Sequence, residues 1–322
     1  MNKRLLLLTL TGLMFVSILL TGCFANTKST SSQTPGYLAV VDDTDRTITL
    51  QKKPEKIVVL STSFLDLLYA VDGKAVGRPS SKTSSVPPTA QDVPEVGYVY
   101  NIDLEKVTSL QPDLVIGVQG MHEKLIPILE SSHIPVLILK YKTLEDTVKT
   151  IRMLANIVGT QSKAEQAIQK MQTVVQEVTA KLPADKITKV AILHATAKSV
   201  TVELDTTIAG SIAKTLHLVN IAAGTAPING DNDTIPYSLE KMVDSDPDVL
   251  LVVTMGDTVE IKNQMKTTIE SNPAWASLRA VQQKKVYFLP SDLFLLNPGL
   301  KLPDAVESMA TLIYPEIYGH GK

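Results

Sequence analysis

The sequence predicts an α/β protein of two Rossmann-like lobes, each a parallel sheet covered by helices, joined by one long rigid helix. Three observations carry this. A frame occurs twice, strands alternate with helices, and one polar-faced helical stretch separates the two halves. The first copy of the frame runs Asn101-Ile102-Asp103-Leu104-Glu105-Lys106-Val107, then Ser109-Leu110-Gln111-Pro112-Asp113 and the apolar run Leu114-Val115-Ile116. The second runs Tyr237-Ser238-Leu239-Glu240-Lys241-Met242-Val243, then Ser245-Asp246-Pro247-Asp248 and Val249-Leu250-Leu251. Each predicts a short helix that stops before proline, which disfavours helical backbone at the preceding residue, and then a buried strand.

With 322 residues, 44% hydrophobic and 20% charged, the chain can bury a core in both halves. A formal charge of -2 offers no electrostatic reason to bind nucleic acid. The single cysteine excludes an intrachain disulfide framework. Residues 1–22 have basic Lys3 and Arg4 followed by an apolar stretch, which reads as an export signal. The apolar stretch also approaches the length of a membrane span. Leu20-Thr21-Gly22-Cys23 decides for export, because it resembles the bacterial lipobox, in which the cysteine becomes the lipidated first residue of the mature chain. The expected location is therefore extracytoplasmic, anchored to the cell membrane through Cys23.

Taken in order, residues 23–36 are a Ser/Thr-rich tether, and 37–50 alternate around Asp42-Asp43-Thr44-Asp45-Arg46 as a hairpin. The first lobe, 37–158, continues with a strand at 57–60, a helix opened by Ser61-Thr62-Ser63, a Ser/Pro-rich loop from Arg78, and Tyr98 and Tyr100 before the first frame. Its strand leads to Gln119-Gly120-Met121-His122. The linking region, 159–183, contains Ala164, Ala167, Ile168, Met171, Val174, Val175 and Val178 at helical spacing. A helix over 163–182 would be roughly 30 Å long, enough to pass between lobes. The second lobe, 184–322, resumes with strands at 190–193, ending at His194, and 200–204, then the second frame with its strand ending near Met255. Loops at the carboxyl ends of parallel strands would face each other across a cleft.

No Gly-x-Ser-x-Gly, His-Glu-x-x-His or Gly-x-x-x-x-Gly-Lys occurs, so an extracellular hydrolase using Ser61, Ser63, His194 and Asp292 is the weaker reading and no enzyme is expected. The five histidines, at 122, 133, 194, 217 and 320, form no zinc or manganese ligand set.

Several stretches resemble the substrate-binding proteins of bacterial ABC importers for iron complexes: siderophores, haem and cobalamin. They are Lys53-Pro54-Glu55-Lys56-Ile57-Val58, Val76-Gly77-Arg78, both twinned frames, Asn272-Pro273-Ala274-Trp275, and Ala280-Val281 before Lys285-Val286-Tyr287. The resemblance implies the class III periplasmic-binding fold, a monomer, and a membrane permease as partner, docked through Glu105 and Glu240. As bare sequence, both glutamates also read as solvated helix residues beside lysine. Haem-uptake lipoproteins of Gram-positive bacteria look most similar. In these a methionine and a histidine hold the iron; the corresponding places here are Tyr100 and Met255. Phenolate and thioether are both haem ligand types. The expected ligand-binding set is thus Ser63, Arg78, Tyr98, Tyr100, Met121, His122, His194 and Met255, with Tyr100 and Met255 as axial ligands and Met121, His122 or His194 as substitutes. Ferric siderophore or cobalamin are the alternatives to haem; no catalytic cofactor is expected.

Overall fold

The computed structural model describes residues 36–81, 86–226, 233–295 and 298–319, all in one compact unit. The export segment, Cys23, residues 24–35 of the tether and His320 lie outside the described residues. The predicted hairpin is formed by β1 (Leu38–Val41) and β2 (Thr47–Leu50). Its turn is built on Asp42, only 2% exposed, whose carboxylate accepts from Thr44 N–H and Oγ1–H, Arg46 N–H and Nη2, and Ile138 N–H. Five donors on one buried carboxylate weld the hairpin to the first sheet.

That sheet contains β3 (Ile57–Val59), β4 (Ala75–Ser80), β5 (Glu95–Tyr98), β6 (Asn101–Ile102), β7 (Leu114–Val118) and β8 (Val136–Leu139), in the order β6-β5-β4-β3-β7-β8. The second contains β9 (Lys189–Thr196), β10 (Val200–Glu203), β11 (Val219–Asn220), β12 (Thr234–Pro236), β13 (Val249–Met255) and β14 (Val286–Leu289), in the order β12-β10-β9-β13-β14, with β11 beside the first residues of β9. The inner strands are parallel as predicted, but β6, β10 and β12 pair antiparallel. The cause is loop length. Two residues separate β5 from β6 and three separate β9 from β10, too few for the crossover that a parallel pair needs.

The helices used below are α1 (Thr62–Ala70), α2 (Leu104–Ser109), α3 (Ile126–Ser131), α4 (Leu144–Val158), α5 (Gln161–Thr179), α6 (Ile208–Thr215), α7 (Leu239–Ser245) and α8 (Thr258–Thr268). Strand side chains alternate between two faces, as pleating requires. Val58, Val115, Val136 and Ile138 enter an outer core beneath α3, and Ala191, Leu193, Leu250 and Val252 another with α8. The opposite faces, with Ile57, Val59, Leu114 and Ile116 from one sheet and Val190, Ile192, Leu251 and Val253 from the other, belong to a single continuous core. Ala164, Ile168, Met171, Val175 and Val178 of α5 lie in that same core, and α5 packs on α1, α4 and the helix Leu302–Ile313. The connecting helix is therefore wedged between elements of both lobes, a construction that resists large hinge motion.

The twinned frame has the same anatomy twice. Asp103 caps α2 by accepting from Lys106 N–H, and Ser238 caps α7 by accepting from Lys241 N–H. Each copy turns through left-handed backbone just before its proline, at Gln111 (φ 49) and Asp246 (φ 41). The following aspartate then clamps the neighbouring strand. Asp113 N–H donates to Lys56 C=O at 3.0 Å and its carboxylate accepts from Lys56 N–H at 2.9 Å. Asp248 does the same to Lys189, at 2.8 Å both ways. The Pro-Asp pair thus sets the register of the framed strand against the one beside it.

Candidate functional site

The carboxyl ends of β7, β8 and β9, with the antiparallel strand β10 beside them, border a cavity of about 830 Å³ between the lobes, within the usual range for small-molecule sites. The first lobe contributes Gln119, Gly120, Met121, Glu123 and Lys140-Tyr141-Lys142; the second contributes His194, Thr201, Glu203, Thr207 and Asp233. Phe294 and Leu295 supply apolar wall. Gly120 takes φ +83, left-handed geometry that glycine adopts without strain, and so presents Met121, 42% exposed, to the cleft.

Among the described residues one ion pair crosses from lobe to lobe, Lys142 Nζ to Asp233 Oδ1 at 2.5 Å. Ser211 Oγ of α6 also donates to Lys142 C=O at 2.8 Å. Both partners of the ion pair are more than a third exposed, so it contributes about 0–1 kcal/mol. Its effect is geometric: it divides the cavity from a second groove of about 920 Å³, which shares Gln119, Lys140, Lys142 and Asp233. Tyr141 packs edge-on against Phe64 at 5.4 Å. Burial, aided by Asp233, pushes its phenol up to about 12, so it stays protonated at neutral pH.

His194 lies two residues before the end of β9, opposite Thr201 of β10. Its Nδ1 lies 3.0 Å from Glu203 Oε1, and Nε2 has no hydrogen-bond partner among the described residues. His194 is partly exposed, with 21% of its side chain accessible. This constellation has an unused imidazole nitrogen that can meet a metal ion.

The other expected residues are dispersed. His122 is 2% exposed and fully engaged: Nδ1 accepts from Val118 N–H at 2.9 Å, which leaves Nε2–H to donate to Val99 C=O at 2.7 Å. It is therefore structural rather than a ligand, and it pins the turn that carries Tyr98 and Tyr100. Burial holds its pKa below the usual 6.5. Its neutral ring accordingly contributes stability at pH above 6.5, lost as pH falls through the depressed folded value. His122→Ala should cost about 1–2 kcal/mol in urea unfolding and should flatten that acid-side loss; an unchanged pH slope would contradict this role.

Tyr98 and Tyr100 stack in parallel, ring centroids 5.6 Å apart, on a turn outside the cavity, with Tyr100 76% exposed. Met255 is 58% exposed at the end of β13 and does not border the cavity either. Arg78 spends its guanidinium on Glu95, Pro79 C=O, Ala90 C=O and Gln91 C=O, bracing the loop after β4. Ser63 is buried in α1 against the backbone of Gly299. Glu105 and Glu240 are both exposed and both stand in the first turn of their helices, α2 and α7.

Glu203, Lys142 and Asp233 were not expected. The signal for Glu203 was present: three residues between β9 and β10 force a hairpin, and the register then puts Glu203 diagonal to His194 on one face.

Two mixed α/β lobes meet around a shared core, with a cleft at the strand ends where open α/β sheets bind ligands. The model of the family "Periplasmic binding protein" matches residues 57–293, and the chain belongs to that family. It is similar to the Fe(3+)-citrate-binding protein YfmC of Bacillus subtilis, 24% identical over 95% of both chains. It is also 26% identical to the ABC transporter substrate-binding lipoprotein YvrC of the same organism, over 95% of this chain and 96% of YvrC. Among solved structures, Staphylococcus aureus IsdE complexed with haem superimposes with a TM-score of 0.71 at 23% identity, covering 80% of this chain and 98% of IsdE. The family and these relatives are named as binding proteins, not as enzymes.

Proposed function

We propose that this chain is the substrate-binding component of an ABC importer, tethered outside the membrane through Cys23, and that its cargo is haem. The supporting observation is His194, whose Nε2 has no hydrogen-bond partner among the described residues and which borders the cavity from the second lobe while Met121 borders it from the first. Imidazole and thioether are both established haem ligands. In this reading they replace Tyr100 and Met255, while the Tyr98–Tyr100 stack offers an aromatic surface at the rim.

The charge of the cavity favours haem over an anionic chelate. Its lining has two lysines against three carboxylates, and Lys142 is already neutralised by Asp233. Ferric citrate or a catecholate complex would meet net repulsion there. Haem carries its carboxylates on one edge, which the open mouth can leave in water. Arg78, the one arginine expected to help an anion, is occupied elsewhere.

Titrating the purified apo-protein with haemin tests this. A shifted Soret band is expected for the wild type. His194→Ala should lose that band position and at least about tenfold in affinity, and Met121→Ala should change the spectrum less. No spectral change with haemin, together with saturable binding of ferric citrate, a ferric siderophore or cyanocobalamin, would overturn the assignment.

A further inference from the structure

Asp42 and Glu203 are both almost completely buried, and their surroundings differ sharply. Asp42 has five donors. Among the described residues Glu203, 3% exposed, has one: Oε1 faces His194 Nδ1, while the buried Oε2 has no hydrogen-bond partner. A buried carboxylate with a single donor is under-compensated and costs stability. Glu203 lies on the cavity wall, between β9 and β12, and nothing in the packing of β10 requires a charge there.

We infer that Glu203 is the positioning residue that prepares His194 to take a ferric ion at Nε2. Its carboxylate accepts the Nδ1 proton, which fixes the neutral tautomer with the Nε2 lone pair facing the cavity. A carboxylate behind a ligating imidazole also raises the basicity of the ring. The second half of the compensation then arrives with the cargo. Coordination of a cation at Nε2 makes Nδ1–H a stronger donor, so the buried charge is best satisfied in the loaded protein. This deepens the assignment of the cleft to an iron complex and rests on it for the identity of the metal. The claim about tautomer and charge concerns the apo-protein alone.

The test uses the full mature chain and its Glu203→Gln, Glu203→Ala and His194→Ala variants. Long-range proton–nitrogen NMR of the apo-protein at about pH 8, above the ordinary imidazole titration, should show Nδ1 protonated and Nε2 bare in the wild type. The amide oxygen of Glu203→Gln should preserve that tautomer, and Glu203→Ala should shift His194 toward Nε2–H. Glu203→Gln should raise the apo melting temperature, because an under-compensated charge is gone, yet weaken haemin binding about tenfold. A merely structural glutamate predicts the reverse, a lower melting temperature with unchanged haemin affinity. Nε2 protonated in the wild type, or a tautomer indifferent to Glu203→Ala, overturns the inference. If the wild type takes up no haemin, the haem assignment falls, and the NMR result still decides what Glu203 does.

Discussion

Replacing Glu105 and Glu240 together by alanine should leave haemin affinity unchanged and abolish cargo uptake by cells. Both side chains are exposed and both lie in the first turns of capped helices, α2 and α7, in twin positions of the two lobes. Neither contributes to the cores, so each substitution costs only the helix-terminus interaction, about 0.3–1 kcal/mol. The shared core and wedged α5 hold the two glutamates in a fixed relation. A rigid pair of charges can register against complementary charges on a permease, and truncating one partner of a buried interfacial pair costs about 2–5 kcal/mol. Losing two should reduce productive docking by three or more orders of magnitude, while each single variant keeps partial uptake. Normal uptake by the double variant would show that the permease docks elsewhere.

Asp42→Ala should destabilise the folded protein by about 3 kcal/mol in urea unfolding, the largest stability effect expected of a single substitution away from the apolar core. The substitution strips the buried N–H groups of Ile138 and Arg46 of an acceptor and leaves Arg46 Nη2 with only Val136 C=O. Asp42→Asn, which retains one acceptor oxygen, should cost less, about 1–2 kcal/mol. Burial alone would raise the carboxyl pKa, but the hydrogen bonds from Thr44 and Arg46 outweigh it and hold the group below its ordinary 3.8. The sign follows: the stabilisation is complete above 3.8 and is lost as pH falls through the lowered folded value. Wild type and Asp42→Ala should therefore converge in stability under strong acid. A constant gap down to that range would mean that Asp42 acts by packing rather than by charge.

The lobes were legible because the twinned frame carries its own punctuation, and the Pro-Asp pair proved to be more than a helix stop. Asp113 and Asp248 clamp Lys56 and Lys189, a contact between segments over fifty residues apart that no local pattern reveals. The alternation of strands and helices predicts a uniformly parallel sheet, and the edges depart from it because the short connections before β6 and β10 make hairpins. The β9–β10 hairpin is what sets Glu203 diagonal to His194. Residue type alone also misled at His122 and Arg78, which have the chemistry of ligands but spend their nitrogens on Val118, Val99, Glu95 and the loop carbonyls. Exposure and hydrogen-bond partners separate such residues from His194, and neither can be read from sequence spacing. Tyr100 and Met255 illustrate the converse: places suggested by resemblance lie outside the cavity, and the cavity offers Met121 and His194 instead.

The most direct measurement is the absorption spectrum of the protein isolated from its own host, with mass spectrometry of the molecule it releases. A coloured protein with a Soret band, releasing iron protoporphyrin, is the predicted result. A colourless protein, or one that releases a ferric chelate or a corrinoid, would contradict the assignment of haem to the cleft between Met121 and His194.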